Sequence, residues 1–425
     1  MLGRVTSPVL DREPACPPAA SAAILTHTIT DTGPSARRTP GPPSTASGLR
    51  VRQVAFDEIP RATWDRLVEL TPAATAFSCW PFHRAWWDAY GANAHDQTLL
   101  IEAEGAPRGK LPVAIVPLMH RHEVEPGDEI ERSAIRHGGD MWLTPVPPTA
   151  KAIFFGASYH ADYATILTSG ADLGEVARAL VGHLAEAPSA GDPHPEPWDV
   201  VDLRRLRCAD PMVDALETAF RGAARANGWD VVAEREDVCP VVTLPAGLDF
   251  EGYLDTLGKK ARHEIRRKIR RAESAGDARL IESPDPLADL DAFIDLHQRR
   301  WGDRGLFPPT PGGDASRVFI RRLFEEFGPA GPARLSFLTV GDRRIAAGIH
   351  LDDGRSLSYY NAGIDPEAKE LSPGVVLVAR YVEAAIAAGR ERLDFLRGDE
   401  PYKYEWGAED EPIRRILVRR TDRQG

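Results

Sequence analysis

The chain has 425 residues, 43% of them hydrophobic and 27% charged, with a formal net charge of −11. This balance is typical of globular proteins and excludes a mainly disordered or fibrous chain. No run approaches the roughly 18 apolar residues that span a bilayer, and the acidic excess argues against a surface given over to nucleic-acid binding.

The length allows two or three domains. The four cysteines are widely spaced, and the scattered histidines show no ligand spacing, so neither a disulfide framework nor a metal site is expected. With no targeting signal recognisable near the start, a cytoplasmic location is expected.

Three regions follow one another along the chain. Residues 1–48 are rich in Pro, Ser, Thr, Ala and Gly and are predicted to be a disordered tail. Residues 49–236 are predicted to be one mixed α/β domain, and residues 237–425 a second one.

The first half shows alternating strand and helix patterns. Strands are expected near 51–56, 99–103, 113–119, 154–156, 163–168 and 198–203, and helices at 62–70, 82–90, 173–187 and 212–227. Gly228 is a usual residue just after a helix end.

The second half repeats this kind of order without a residue-level repeat. Strands are expected at 240–244, 335–340, 344–351, 356–362, 392–395 and 413–419, and helices at 250–276, 287–300, 319–327 and 373–388. Residues 303–316 contain three prolines and two consecutive glycines and are predicted to form a long loop.

The helix near 257–276 is strongly basic. Between Lys259 and Arg271 it carries eight basic side chains against the single acid Glu264, with a thin apolar stripe for packing. Two explanations stay open: a solvated face with acidic partners inside the protein, or an anion site for CoA phosphates, an RNA or an anionic glycan carrier. The candidate anion-binding residues are Lys259, Lys260, Arg262, Arg266 and Arg267.

A helix start follows the strand at 356–362. Ser372 is a good N-cap, and Pro373 suits the first helical position. The free backbone N–H groups of such a start favour phosphate binding, and Gly374 permits close approach. Taken alone, an ordinary capped core helix is the more common explanation of this pattern.

The strand at 392–395 leads into a turn dense in polar and aromatic groups. Asp399 or Glu400 is a candidate proton acceptor, Lys403 a candidate partner for an oxyanion or phosphate, and Tyr402 a candidate proton donor. A loop of surface ion pairs around core aromatics is the alternative.

Five segments, LGKKARHEIRRKIRRAESAG, LHQRRWGDRG, IAAGIHL, SYYNAGIDPEAKELSPGVVLV and LDFLRGDEPYKYEWGAED, together resemble a known family. It is the GNAT-like acetyltransferase family that includes CelD-type proteins of cellulose and exopolysaccharide biosynthesis and is related to Fem-type aminoacyl transferases. The resemblance is strong over 240–410 and loose before it, so tandem GNAT-like domains are expected, the first one degenerate.

The resemblance implies mostly antiparallel sheets flanked by helices, an α+β fold. Acyl-CoA would lie where two central strands splay apart, with its pyrophosphate on a helix N-terminus. The matching loop here holds Lys369, Ser372 and Gly374, with Ser372 where the family has a glycine. His350 and Tyr360 would lie beside the acyl group, and Trp301 would line the acceptor pocket.

The leading hypothesis is a metal-independent acyltransferase that moves an acetyl or other acyl group from acyl-CoA to an amine or hydroxyl. The acceptor would be a small molecule, a glycan or a peptide, and the pathway exopolysaccharide or cell-envelope biosynthesis. One alternative is a Fem-like transferase that uses charged tRNA. The other is a catalytically inert binding module that recruits an anionic polymer through the basic helix.

Overall fold

The computed structural model describes residues 48–107, 109–121, 142–147, 150–186 and 197–421. The expected tail, residues 1–48, lies outside this part of the chain apart from Gly48. The described strands are β1 (Leu49–Gln53), β2 (Ala94–Asp96), β3 (Leu99–Ala103), β4 (Ala114–Val116), β5 (Leu118–Arg121), β6 (Ala152–Phe155), β7 (Leu167–Thr168), β8 (Val200–Arg207), β9 (Trp229–Thr243), β10 (Ala278–Glu282), β11 (Ala333–Val340), β12 (Arg343–Asp352), β13 (Ser356–Ile364), β14 (Arg392–Asp394) and β15 (Glu409–Arg420).

Helices flank these strands. They are α1 (Arg61–Leu70), α2 (Trp80–Tyr90), α3 (Leu173–Ala185), α4 (Pro211–Asn227), α5 (Phe250–Thr256), α6 (Lys259–Ala275), α7 (Pro286–Trp301), α8 (Pro311–Phe327), α9 (Pro373–Ala387) and α10 (Pro401–Tyr404). Amphipathic periodicity predicted most of them, and α4 ends where Gly228 takes the left-handed conformation at φ 60°.

Eleven strands form one sheet in the order β10-β11-β12-β13-β14-β9-β15-β8-β6-β5-β2, and β1-β3-β4-β7 form a smaller one. Among the paired strands, β13–β14 and β6–β8 run parallel and the others antiparallel. The mixed, mostly antiparallel architecture flanked by helices is therefore confirmed.

Two long strands join the two halves at the centre of the large sheet. Strand β9 begins in the first half, and its last residues, 241–243, pair with β14 of the second. Strand β15 ends the second half but pairs with β8 of the first. The predicted boundary between 236 and 237 falls inside β9, and that division of the chain stays a prediction.

The centre of β15 is buried on both faces. Residues 413–418 are all buried, yet two of them are arginines. Arg415 donates two hydrogen bonds to Asp202 at 2.6 and 2.8 Å and one to Glu234 at 2.9 Å. The two carboxylates compensate the desolvated guanidinium and tie β15 to β8 and β9.

The predicted loop at 303–316 is wrong over its second part. Helix α8 begins at Pro311, and Thr310 Oγ1 accepts a hydrogen bond from Gly313 N at 3.3 Å. A Cβ on Gly313 would lie 1.9 Å from Pro308 O, so this close turn requires glycine. An N-cap threonine followed by proline was the available signal.

Two findings concern only the described ranges. None of their helices combines the length and the apolar character needed to cross a membrane. Nor do they contain a group of three or more His, Cys, Asp or Glu side chains placed to hold a metal ion.

We expect Arg415→Met to destabilise the protein by about 3 kcal/mol, because the buried Asp202 would keep only Arg204 as an ionic partner and the half-buried Glu234 would lose its guanidinium. Urea unfolding of the full chain measures the change. Arg419→Met is the matched control: its ion pair with Asp230 is partly exposed, so a loss below about 1 kcal/mol is expected. Equal losses for the two variants would contradict the structural role of Arg415.

Candidate functional site

The parallel strands β13 and β14 part at one end. Their register stops at the pair Ser358–Asp394, whereas β13 continues to Ile364 alongside β12. Past Asp394 the chain stays on β9, since Phe395 N donates to Pro240 O at 3.0 Å, and it then turns through left-handed Leu396. Beyond Ser358, β13 thus has no strand partner on that side, and the two strands part; we call the region between them the cleft.

Helix α9 begins at the same end of the sheet. The turn 365–371 leads from β13 to Ser372, which takes the left-handed conformation at φ 53°. The prediction that the Ser372 side chain caps α9 is wrong: it makes no capping hydrogen bond, and its hydroxyl accepts one from Arg271 instead, so the first N–H groups of the helix lack a side-chain acceptor. Gly374 lies in the first turn, where a Cβ would come within 3.0 Å of Ile364 Cδ1, so a side chain there would be crowded.

The corresponding helix start in the first half is closed. In the first half, strand β6 is followed by helix α3 and then by strand β8. In the second half, strand β13 is followed in the same way by helix α9 and then by strand β14. At the start of α3, however, Asp172 Oδ1 accepts a hydrogen bond from Glu175 N at 3.0 Å. This carboxylate occupies the position that an anion would need and repels one.

The basic helix α6 divides into paired and unpaired cations. Three of its five candidate anion-binding residues have acidic partners: Arg262 pairs with Asp255, Arg266 with Glu251 and Asp255, and Arg267 with Glu264. Internal acids therefore account for this part of the positive charge.

Other cations of α6 are exposed. Within the described residues, Lys259, Lys260 and Arg270 form no ion pair. Arg271 donates to the hydroxyl of Ser372 and so joins the end of α6 to the start of α9. The unpaired cations thus belong to a helix that touches the uncapped helix start.

Lys403 lies buried in the closing loop. Its Nζ donates to the carbonyl oxygens of Leu396, Arg397 and Gly398 at 3.1, 3.0 and 2.9 Å and lies 2.9 Å from Glu400 Oε2. Only 3% of Lys403 is exposed. Its three ammonium protons all hold the loop that follows β14, so the geometry gives Lys403 an anchoring role.

Asp399 and Tyr402 lie on the outside of the same loop. Asp399 is exposed, and Tyr402 is 37% exposed with its ring edge-on to Phe395 at 5.9 Å. Partial burial raises the pKa of the Tyr402 hydroxyl, which keeps it protonated. The structure therefore brings the three candidate catalytic residues into one loop but buries only Lys403.

The other candidates lie on β13, on β12 and at the end of α7. Tyr360 on β13 donates to His160 O at 3.1 Å. His350 is buried against Tyr381, and burial lowers its pKa to about 4, so it is neutral at pH 7. Trp301 is 40% exposed at the end of α7, with the Arg300 guanidinium 4.5 Å above its ring.

Sequence reasoning missed Asp394. Its Oδ2 accepts from the Tyr163 hydroxyl at 2.8 Å and its Oδ1 from Leu396 N at 2.8 Å. Burial raises the pKa of Asp394 to about 6, although the hydrogen bond from Tyr163 opposes this change. An acid inside an otherwise apolar strand pattern was the signal that could have found it.

Comparison with known proteins agrees with this geometry. Residues 259–404 match the sequence model of the family described as Acetyltransferase (GNAT) domain. The match includes the parting strands, α6 and the start of α9. A search of curated proteins found no match.

Two solved structures share the fold over most of the chain. FemX is 10% identical, covers 86% of this chain and 96% of its own, and superposes with a TM-score of 0.51. A conserved protein of unknown function from Bacteroides thetaiotaomicron VPI-5482 is 13% identical, with 87% and 99% covered and a TM-score of 0.50. At such identities the similarity is one of fold.

We expect Lys403→Met to destabilise the chain by about 3 kcal/mol, since it leaves buried carbonyl groups without a donor. Urea unfolding measures the loss. Lys369→Met is the control, because Lys369 is exposed and a change within about 0.5 kcal/mol is expected. A Lys403→Met protein as stable as the control would refute the anchoring role.

The raised pKa of Asp394 makes stability depend on pH. Between the ordinary value of 3.8 and about 6, the folded state binds more protons than the unfolded state, so this contribution to stability is lost as pH rises. We expect the stability of the wild type relative to Asp394→Asn to fall by on the order of 3 kcal/mol from pH 4 to pH 7.

Urea unfolding at several pH values provides the test. The charged and titratable groups acting on Asp394 include Tyr163, Arg392, Glu411 and Cys239, all present in both proteins. A difference between the two proteins that stays constant from pH 4 to pH 7 would contradict the raised pKa.

Proposed function

We propose that this protein is an acyltransferase that moves an acetyl or other acyl group from acyl-CoA to an amine or hydroxyl. The observation that supports this most directly is the coincidence of two features at one end of the sheet: strands β13 and β14 part there, and α9 starts there without a side-chain cap. The cleft would accept the extended arm of the donor, and the helix start its pyrophosphate.

Positive groups surround that helix start. Lys369 lies exposed in the turn before it, Ser372 offers its hydroxyl, and Gly374 leaves the backbone open. Arg271, already bonded to Ser372, would turn towards a bound phosphate. These four residues are the proposed phosphate contacts, and the family match over 259–404 includes all of them.

The proposed chemistry is direct transfer. The acceptor amine or hydroxyl attacks the thioester carbon, Asp399 takes its proton, and backbone N–H groups of β13 past Ser358 stabilise the oxyanion. Collapse breaks the carbon–sulfur bond, the departing thiolate takes a proton from Tyr402, and Tyr402 regains a proton from the protonated Asp399 through solvent, so both residues end as they began. Lys403 holds the loop that presents both residues, because its own protons are committed to carbonyl groups.

The acceptor side is proposed to lie near Trp301, His350 and Tyr360. The exposed indole of Trp301 with a guanidinium stacked on it is a surface suited to a sugar or peptide. A glycan or peptide acceptor of exopolysaccharide or cell-envelope biosynthesis is consistent with this surface, as is a small molecule.

A second candidate donor is charged tRNA, in a Fem-like reaction. The observation that favours it is the set of exposed cations on α6 that have no ion pair within the described part of the chain, Lys259, Lys260 and Arg270, in addition to Arg271 at the proposed phosphate site. An inert module that binds an anionic polymer would use the same cations without Asp399.

Calorimetry with acetyl-CoA on the full chain tests the donor. We expect saturable binding at one site, weakened at least tenfold by Gly374→Val, whose methyl groups would cover the helix start. Gly182→Val is the control, since Gly182 is an exposed helical position with open space around it. No binding at millimolar acetyl-CoA would refute this donor, as would equal binding by Gly374→Val.

The alternatives are distinguished by the basic helix. Charge reversal, Lys259→Glu with Lys260→Glu, should leave acetyl-CoA binding within roughly twofold if the donor is CoA, because neither residue contacts the α9 start. An activity that requires charged tRNA and is lost on RNase treatment and on charge reversal would instead establish the Fem-like reaction.

A further inference from the structure

A short segment of the first half, residues 157–163, reaches into the second half. Strand β6 pairs with β8 at Ala152–Val200 and Ile153–Val201 and then leaves it. The chain turns at Ala157, which has a φ of 62°, and meets β8 again where Ala164 bridges Leu206. The corresponding strand of the second half, β13, runs on without such an interruption.

Segment 157–163 contacts both of the strands that part in the second half. Towards β13, Tyr360 donates to His160 O at 3.1 Å. Towards β14, Tyr163 donates to Asp394 at 2.8 Å. Just beyond β14, Arg397 lies 3.2 Å from a carboxylate oxygen of Asp162. Three links therefore join one segment to the two sides of one cleft.

The segment is itself held firmly. The His160 ring stacks on Phe319 of α8 at 4.1 Å and 7°, and its Nε2 lies 2.7 Å from the hydroxyl of Tyr90 on α2. That hydroxyl lies 3.0 Å from Ser316 Oγ on α8. Tyr163 also packs edge-on against Phe77. Helices from both halves thus fix the segment, and buried polar bonds of this kind specify one geometry.

We propose that segment 157–163 is a positioning element for the cleft between β13 and β14. It sets the separation of the two strands past Ser358 and Asp394 and holds the loop that carries Asp399 and Tyr402. The first half would then contribute to the reaction by positioning the strands and the loop of the second half that form the candidate site. In the first half, the same segment interrupts the pairing of β6 with β8, and Asp172 caps the start of α3. The two features that form the candidate site in the second half are therefore closed in the first half.

The effect on catalysis rests on the proposed acyl transfer, but the mechanical role does not. Past the parting, neither strand has a ladder of hydrogen bonds to the other, so their separation depends on what bridges them as well as on the pairing of each with its outer neighbour. Removing the Tyr163 hydroxyl leaves one oxygen of the buried Asp394 unpaired and loosens the β14 side of the cleft.

The test is Tyr163→Phe, which keeps the ring and removes only the hydroxyl. Thr165→Val is the matched control: its hydroxyl also donates to a buried carboxylate, that of Asp210 at 2.6 Å, but this bond stays within the first half. Hydrogen exchange of the full-length proteins is followed in residues 359–364 and 395–400, and acetyl-CoA affinity is measured by calorimetry.

We expect Tyr163→Phe to accelerate exchange roughly tenfold in residues 395–400, on the β14 side that its hydroxyl holds, and to weaken acetyl-CoA binding. Residues 359–364 keep the link from Tyr360 to His160 and serve as the internal reference, and Thr165→Val leaves exchange and binding as in the wild type. Exchange in Tyr163→Phe no faster than in the control overturns the proposal. If the wild type binds no acetyl-CoA but Tyr163→Phe still exchanges faster, the donor is wrong and the positioning role stands.

Asp162→Asn provides a second variant if Tyr163→Phe fails to fold. It removes the charge that faces Arg397 and keeps the side-chain shape. Faster exchange confined to 395–400 is expected, since that link serves only the β14 side. Unchanged exchange there would overturn the proposal equally.

Discussion

The antiparallel ladder between β9 and β15 is the interaction on which the rest of the structure depends. It runs from Glu409 opposite Val241 to Arg420 opposite Trp229 and lies at the centre of the eleven-stranded sheet. On their outer sides, β15 pairs with β8 of the first half and the end of β9 pairs with β14 of the second. Since a central strand cannot be removed without exposing the ladders on both sides, the two halves share their stability.

The candidate site is a consequence of that ladder. Strand β14 is short, and past Asp394 its chain continues to follow β9 through the bond from Phe395 to Pro240. Strand β13 instead keeps its pairing with β12. The right-handed twist of a sheet separates neighbours that have lost their hydrogen bonds, and here it does so where α9 begins. One backbone arrangement therefore supplies both the cleft and the helix start.

The two halves resemble each other in topology but differ in chemistry. Each has a parallel strand pair joined through a helix, yet the start of α3 is closed by the carboxylate of Asp172, while α9 has Arg271 at its start. The protein is acidic overall, with its densest positive charge on α6 beside that start. The charge distribution and the cap thus favour an anion in the second half alone.

Local patterns in the sequence determined most of the helices, the meander β11–β13 and, through Pro373, the start of α9, because hydrophobic periodicity and a proline at the first helical position act over a few neighbours. They also identified α6 as basic. They did not show that Arg266 would find Glu251 or that Lys403 would turn inward, since each depends on where a carboxylate or carbonyl group lies in space.

Only the tertiary structure decided the pairing of β9 with β15 and the parting of β13 from β14. The same holds for the hydrogen bond between Tyr163 and Asp394, which are 231 residues apart. The period of a strand indicates which side chains share a face but not which strand lies beside it. The sequence by itself therefore determined the elements and the kind of domain. The geometry of the site was decided by pairings between distant strands.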